Sequence, residues 1–356
     1  MLHSDGPPGL KRLTFNCTRL DRSNLRFRDF GFEMQDSSNF KIWIFPMHPL
    51  IAIVGPTASG KSELAVFLAE SFSGEIVNYD SVQIFRHLDI GSAKPGLEER
   101  RQVPHHMIDV REPTEVFTAG DYQREARKVL EEIRGRGKLP ILVGGTGLYL
   151  RALTEGLFNG PARSMYWRNR LEMTAERRGR GYLHRVLRRL DPAAALRIGE
   201  RDKQKVIRAL EVRLETGKPL SQHFDERPRE PITGFEIQFV GLNPPREALY
   251  GRIDERVGRM FEKGLVEEIR GLLARGTPAS AKPFEAIGYR HVLADLDSCN
   301  SWEDTIRIIQ RDTRRYAKRQ MTWFRNQSSV TWFDGSGDSD EIKNKVHQFL
   351  KPLLTR

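Results

Sequence analysis

Leu50-Ile51-Ala52-Ile53-Val54-Gly55-Pro56-Thr57-Ala58-Ser59-Gly60-Lys61-Ser62 is a short apolar run that enters a glycine-rich loop, and Glu63–Phe72 behind it carries apolar residues at helical spacing. The loop fits G-x-x-x-x-G-K-[ST] and stands between a strand and a helix, as that pattern requires. Its glycines let the backbone curl so that successive N–H groups face phosphate oxygens. The helix N-terminus adds its positive dipole, Lys61 supplies a point charge and Ser62 suits a Mg²⁺ ion. Gly55, Pro56, Thr57, Ala58, Ser59, Gly60, Lys61 and Ser62 therefore read as a cradle for a diphosphate or triphosphate. A kinase, a nucleotide hydrolase or an enzyme with a diphosphate leaving group could each use it.

Working outward, β-branched runs alternate with amphipathic segments: Leu50–Val54, Glu75–Tyr79 and Leu139–Val143 as strands, Glu63–Phe72 and Ala119–Arg134 as helices. This is the pattern of βαβ units, so an α/β fold with a parallel P-loop sheet is expected over 47–160. Ligands in open α/β sheets gather at the carboxyl ends of strands, which directs Gly55–Ser62, Asp80–Gln83 and Gly144–Tyr149 to one crevice. After Gly160 helical periodicity takes over, with Leu183, Val186, Leu187 and Leu190 on one face and Arg185, Arg188 and Arg189 away from it. Residues 161–232 read as a helical insertion domain, closed by the proline-rich Arg227–Pro231. The core returns with a strand at Phe235–Leu242 and continues over 233–350, mostly helical, with a last long helix at Trp302–Phe324. Residues 1–46 show no sustained period and read as a poorly ordered extension, and the working chain is expected to begin near Met47.

The 356 residues suit two domains, or one large domain with an insertion, at about 150 residues per domain. With 38% hydrophobic and 29% charged residues, the composition is that of a globular protein. The best apolar run, Ile42–Val54, is broken by Pro46, His48 and Pro49, so no membrane span is expected. Two cysteines, Cys17 and Cys299, make neither a disulfide framework nor a four-ligand zinc site, and a reducing, cytoplasmic setting fits. The net charge of +11 is concentrated. Residues 161–232 hold 18 Lys/Arg against 10 Asp/Glu, and 303–325 hold 7 against 3, leaving the rest near neutral. Such clustering suits a polyanion footprint, although arginine-rich helices with solvated faces give the same count.

Asp80, at the end of the second strand, is placed either to cap a helix or to act as a general base beside the phosphates. Pro104-His105-His106 has no cysteine or carboxylate at ligand spacing and reads as structural. Gly144-Gly145-Thr146-Gly147 permits close backbone approach to a ligand, with Thr146 as a short donor, and an ordinary tight turn would use the same residues.

Taken in order, Gly55–Ser62, Asp80-Ser81-Val82-Gln83, Asp89–Pro95, Val103–His106, Gly144–Tyr149, Arg208–Val212, Ala286–Tyr289 and Tyr316–Arg325 resemble the signatures of the tRNA dimethylallyltransferases. The resemblance covers about residues 50–325. It implies transfer of a dimethylallyl group from dimethylallyl diphosphate to N6 of the adenosine immediately 3′ of a tRNA anticodon, with Mg²⁺ as cofactor and the anticodon stem-loop as partner. It further implies Asp80 as base, Lys61 and Thr146 as catalytic groups, and Arg256 as a diphosphate contact. For tRNA it implies Asp80, Ser81, Val82, Gln83, Thr146, Arg168, Gln204, Lys205, Val206, Ile207, Arg208, Ala286, Ile287, Gly288, Tyr289 and Arg290. Departures are Val82 where members often carry arginine, Phe85 for tyrosine, and Lys205 for arginine, which removes a bidentate donor. No zinc-finger extension follows, as in the bacterial form, and a monomer is expected.

Three rivals differ in what they require. An ATP-dependent phosphotransferase would form ADP, a prenyltransferase of free adenine nucleotides would not need the basic segments, and an RNA-binding module would not need Asp80 and Thr146 around one crevice.

Overall fold

The computed structural model describes residues 31–34, 40–43 and 47–354, except 159, 162, 227–228, 297–300 and 328. A two-stranded ladder of four residue pairs joins β1 (Gly31–Met34) to β2 (Phe40–Trp43) in antiparallel fashion. The remainder of 1–46 lies outside the described residues, as do Cys17 and Cys299. The core sheet consists of β3 (His48–Val54), β4 (Gly74–Asn78), β5 (His105–His106), β6 (Leu139–Val143), β7 (Phe235–Leu242) and β8 (Val330–Phe333), in the order β5-β4-β6-β3-β7-β8. Every pairing in it is parallel.

Alternation along β3 explains why an uninterrupted apolar run is needed there. Leu50, Ala52 and Val54 enter one core, and Ile51 and Ile53 enter the other. On the second face lie α1 (Lys61–Phe72) and α14 (Asp340–Leu354), through Leu64, Leu68, Ile342, Val346 and Leu350. The first face is covered by α3 (Ala119–Gly135), α4 (Gly147–Thr154), α10 (Arg246–Glu262), α11 (Leu265–Ala274), α12 (Tyr289–Asp295) and α13 (Trp302–Arg325), which bury Tyr122, Leu150, Val257, Ile269, Val292 and Phe324. A short α2 (Leu97–Gln102) leads to β5. Because β3 is followed outward by β6 on one side and β7 on the other, the strand order reverses where the phosphate loop leaves β3.

Between α4 and β7 the described residues form five helices: α5 (Met165–Arg178), α6 (Arg180–Leu190), α7 (Pro192–Arg197), α8 (Lys203–Thr216) and α9 (Leu220–Glu226). They pack on their own apolar cluster, which includes Leu183, Leu187, Val206, Ile207, Leu210 and Leu220. Asp191 caps α7 by accepting from Ala194 N, and its carboxylate also accepts from Ser221 N and Oγ, so one buried acid ties α7 to α9.

Candidate active site

Helix α1 begins on Gly60, whose φ of +80° is left-handed, and Ala58 is also left-handed at +61°. A side chain at Gly60 would lie 2.7 Å from the backbone nitrogens of both Gly337 and Asp338, so the close approach requires glycine. That β8–α14 turn is fastened to the loop by Gly337 N donating to Ser59 O at 2.9 Å. Arg252 of α10 holds the other shoulder, donating to Ala58 O at 2.9 Å and to Asp338 Oδ2 at 2.7 Å.

Lys61 is only 8% exposed, and its Nζ donates to Pro56 O at 2.6 Å. Burial first, and the Arg256 guanidinium second, push its pKa down to about 7, while Asp80 and Glu63 pull it up. Burial also lowers the pKa of Arg256, against the pull of Asp80 and Glu63. Arg256 makes no hydrogen bond or ion pair among the described residues. Neither cation has a hydrogen-bonded or ion-paired carboxylate among the described residues, although Asp80 and Glu63 are near enough to act on both, and this pairing suits a site for an anion.

Asp80 combines the two readings its position allowed. Its Oδ1 accepts from Val82 N at 2.9 Å and Gln83 N at 3.4 Å, closing the turn after β4. Its Oδ2 makes no hydrogen bond among the described residues and lies 3.0 Å from where a side chain on Gly145 would begin. One oxygen therefore holds the turn while the other is presented to the crevice. Asn78 fixes the approach, accepting from Asp80 N at 3.1 Å while donating to Met107 O at 3.0 Å. Thr146 closes the far side: its N–H donates to Tyr79 O, and its Oγ1 accepts from Ser81 N at 2.9 Å and donates to Ser81 Oγ at 3.0 Å.

Gln320, buried at 4% exposure, joins the loops from α13. Its Oε1 accepts from Thr57 N at 2.8 Å, and its Nε2 donates to Gly145 O at 2.9 Å, which also accepts from Tyr316 OH at 3.0 Å. Sequence reasoning did not single out Gln320. Its signal was a polar residue in the apolar stripe Ile309–Ala317–Phe324 of an amphipathic helix. Gly147 packs so tightly on α13 that a side chain there would collide with the Trp323 indole.

The remaining candidates fall into two further groups. In the insertion, Arg168 donates to Gln204 Oε1 at 2.9 Å, and Arg168 and Arg208 both flank the buried Glu211, at 3.7 and 3.2 Å. Lys205 is exposed and paired with Asp202 at 2.5 Å, whereas Val206 and Ile207 lie in the insertion's apolar core at 1% and 0% exposure. Those two side chains anchor α8, and the polar members of the segment carry its surface. Burial raises the pKa of the Tyr149 hydroxyl, with Asp80 raising it further and Arg163 opposing, so the root of the insertion borders the crevice. In the second group Tyr289 is fully buried, while exposed Arg290 pairs with Asp312 at 3.2 Å, an acid that also faces His291, Arg311 and Arg315. Val82 is half-buried against the core, and Gln83 Nε2 donates to Ser92 O at 3.1 Å and Ala93 O at 3.2 Å. Phe85 is buried, which suits a ring without a hydroxyl.

His105 and His106 are structural. They form β5, and His106 Nε2 meets Glu75 Oε2 at 2.6 Å while Arg136 grips the same carboxylate at 3.0 and 2.7 Å. Among the described residues, no group of three His, Cys, Asp or Glu side chains is arranged to hold a metal ion. Nor is any helix long and apolar enough to cross a membrane.

A phosphate loop at the switch point of a parallel sheet, with an open carboxylate opposite a buried cation pair, defines an enzyme that handles a phosphorylated group beside a proton acceptor. Comparisons with known proteins narrow this class. The IPP transferase family model matches residues 83–327. The tRNA dimethylallyltransferase of Solibacter usitatus is 51% identical over 306 residues, which is 85% of this chain and 99% of that protein. That of Koribacter versatilis is 50% identical, covering 85% and 98%. The structure of the tRNA isopentenylpyrophosphate transferase of Bacillus halodurans aligns at a TM-score of 0.64 and 40% identity, over 86% of this chain and 97% of that one. A eukaryotic dimethylallyltransferase acting on tRNA aligns at 0.70 and 29% identity, over 85% and 78%. The chain belongs to the tRNA dimethylallyltransferase family, and it is a prenyltransferase.

Proposed function

We propose that this chain transfers the dimethylallyl group of dimethylallyl diphosphate to N6 of the adenosine immediately 3′ of a tRNA anticodon, releasing diphosphate. The observation that carries this reading is the free Oδ2 of Asp80 opposite the Lys61–Arg256 pair. The loop backbone, Lys61 and Arg256 receive the donor's diphosphate and stabilise the charge that develops as its C–O bond breaks. The adenine N6 forms the new bond to the allylic carbon and gives up a proton to Asp80 Oδ2. Thr146, with both hydroxyl bonds committed to Ser81, holds the turn that aims this carboxylate. The base must leave its stack to reach the crevice, because a stacked amine cannot approach a carbon held at the loop.

The donor set fits Mg²⁺. Ser62 is exposed on the first turn of α1 and makes no hydrogen bond among the described residues, and a hydrated ion that takes one protein hydroxyl and substrate oxygens needs no carboxylate cage. When bound, Mg²⁺ neutralises charge on the departing diphosphate, and Ser62 with the diphosphate oxygens would hold it. For the anticodon stem-loop, Arg168, Gln204, Lys205 and Arg208 of the insertion and Arg290 of the core supply phosphate contacts. Domain roles follow: 47–160 and 233–350 carry the chemistry, and 161–232 grips RNA. A cytoplasmic monomer suits this account.

Nucleoside mass spectrometry on unmodified tRNA incubated with the protein, dimethylallyl diphosphate and Mg²⁺ tests it. N6-isopentenyladenosine at the position 3′ of the anticodon is expected with tRNA and not with AMP as acceptor. ADP formation from ATP without prenylated product would overturn the reading in favour of phosphotransfer.

A further inference from the structure

Four hydrogen bonds converge on one carboxylate that belongs to none of the site groups described above. Glu268, in the first turn of α11, accepts at Oε2 from Asp89 N at 2.8 Å and Ile90 N at 2.7 Å. Its Oε1 accepts from Gly91 N at 3.2 Å and from Tyr289 OH at 2.7 Å. Three consecutive backbone N–H groups directed at one anion are an arrangement that usually receives a ligand; here the protein supplies the anion itself. The approach is close enough that a side chain on Gly91 would begin 2.6 Å from the Tyr289 ring and 2.8 Å from Leu265 Cδ1.

What Glu268 joins gives the cluster its meaning. The turn it holds continues to Ser92 and Ala93, whose carbonyls anchor the Gln83 side chain. Lys94, its side chain buried, locks the same turn to Phe85 O at 2.8 Å, to Asp89 at 2.6 Å and to Asp109 at 2.7 Å. On the other side, Tyr289 is flanked by Gly288 and Arg290. The carboxylate therefore spans from the Asp80–Gln83 turn to the Ala286–Arg290 segment, which are separated by about two hundred residues of chain.

We propose that Glu268 is a positioning residue for the tRNA acceptor: it fixes the segment that grips RNA in register with the turn that carries the proton-accepting carboxylate, so that an extruded adenine arrives facing Asp80. This rests on the roles assigned above to Asp80–Gln83 and Ala286–Arg290. The donor site is untouched by the clamp, since none of its four bonds involves the phosphate loop, Lys61 or Arg256. Glu268→Gln is the informative change. A glutamine has one acceptor oxygen, so it can satisfy Gly91 N and Tyr289 OH, or Asp89 N and Ile90 N, but its NH₂ must then face donors on the other side.

The test measures kcat and KM for tRNA, the affinity for inorganic pyrophosphate, and the fluorescence of an anticodon stem-loop with 2-aminopurine at the target position. For Glu268→Gln we expect kcat/KM for tRNA to fall roughly 10- to 100-fold, as for a misplacement of about an ångström, with a reduced 2-aminopurine increase and pyrophosphate affinity unchanged within about twofold. Tyr289→Phe removes one of the four bonds, keeps the ring packing and serves if Glu268→Gln fails to fold; a smaller fall of the same pattern, about 3- to 10-fold, is expected. Arg290→Ala is measured in parallel. Unchanged tRNA kinetics in Glu268→Gln and Tyr289→Phe, with Arg290→Ala impaired, would overturn the clamp alone. Unchanged kinetics in all three would overturn it together with the RNA role of Ala286–Arg290. Equal loss of pyrophosphate and tRNA binding would also overturn it, leaving Glu268 a general stabiliser of the fold.

Discussion

Lys61 is a lysine whose charge depends on its ligand. In the free protein burial and Arg256 bring its pKa to about 7, and a bound diphosphate pulls it back toward the ordinary lysine range. Below pH 7 it is protonated in both states, so its contribution to affinity is full and independent of pH. Above pH 7 binding must take up a proton, so affinity falls by as much as about tenfold per pH unit until the bound-state pKa is reached. Titration calorimetry of pyrophosphate in buffers of different ionisation enthalpy should show uptake approaching about one proton per site at pH 8–9. Lys61→Met should bind more weakly and lose that uptake, and equal proton uptake in the two proteins would contradict the assignment. The lysine's role was legible from the G-x-x-x-x-G-K-[ST] spacing alone. Its crowding by Arg256 was not, because nearly two hundred residues separate the two in sequence and only the packing of α10 against the loop joins them.

At the scale of elements, the strands that could be read were those with long apolar runs: β4 and β6 are buried throughout, β3 over Leu50–Val54, and β7 at Phe235 and Val240–Leu242. β3, β4, β6 and β7 announce themselves as apolar runs between glycines and polar turns, and each was expected within a residue or two of where it lies. β5 is two histidines, β8 is a four-residue edge strand, and β1–β2 lie in a stretch with no clean alternation. Neither β5 nor β8 buries enough on both faces to leave a periodic trace, and each exists because a neighbour offers a ladder. The phosphate loop likewise depends on a partner element. Gly60→Ala would place a methyl group against the Gly337–Asp338 backbone at a positive φ, at a cost of about 1–3 kcal/mol, and should lower both the thermal midpoint and pyrophosphate affinity at least about tenfold. Gly137, also left-handed at +65° but with open space around it, provides the control. Gly137→Ala should lower stability slightly and leave pyrophosphate affinity unchanged; equal behaviour of the two variants would show that the β8–α14 turn does not support the loop.

Across the whole molecule, the chain divides its charge by task. The insertion and α13 carry nearly all of the excess positive charge, while the crevice holds a few buried groups whose charges are balanced against a ligand. If the basic faces hold tRNA, each phosphate neutralised releases counterions, and log affinity plotted against log salt concentration should fall with a slope of about −3 to −6, as for roughly four to seven phosphates. Pyrophosphate affinity, set inside the loop, should change far less over the same range, and a flat tRNA response would remove the basic faces from the account. The sequence made the two halves of this division visible through charge counts and motif order. It could not show that Arg168, Gln204 and Arg208 meet around the buried Glu211, nor that Gln320 ties Thr57 to Gly145, because those contacts belong to the tertiary packing of helices.

The central claim is that the free oxygen of Asp80 takes the proton from the adenine amine, and Asp80→Asn tests it without disturbing the turn, since asparagine keeps the Oδ1 that accepts from Val82 N and Gln83 N. The measurement is single-turnover prenylation of a tRNA anticodon stem-loop with enzyme and donor saturating, alongside the affinities for RNA and pyrophosphate. The account predicts a rate lowered by about 10²–10⁴-fold with both affinities within about twofold of the unmodified protein. An unchanged rate, or a loss of binding as large as the loss of rate, would contradict it and leave Asp80 as a cap on the turn after β4.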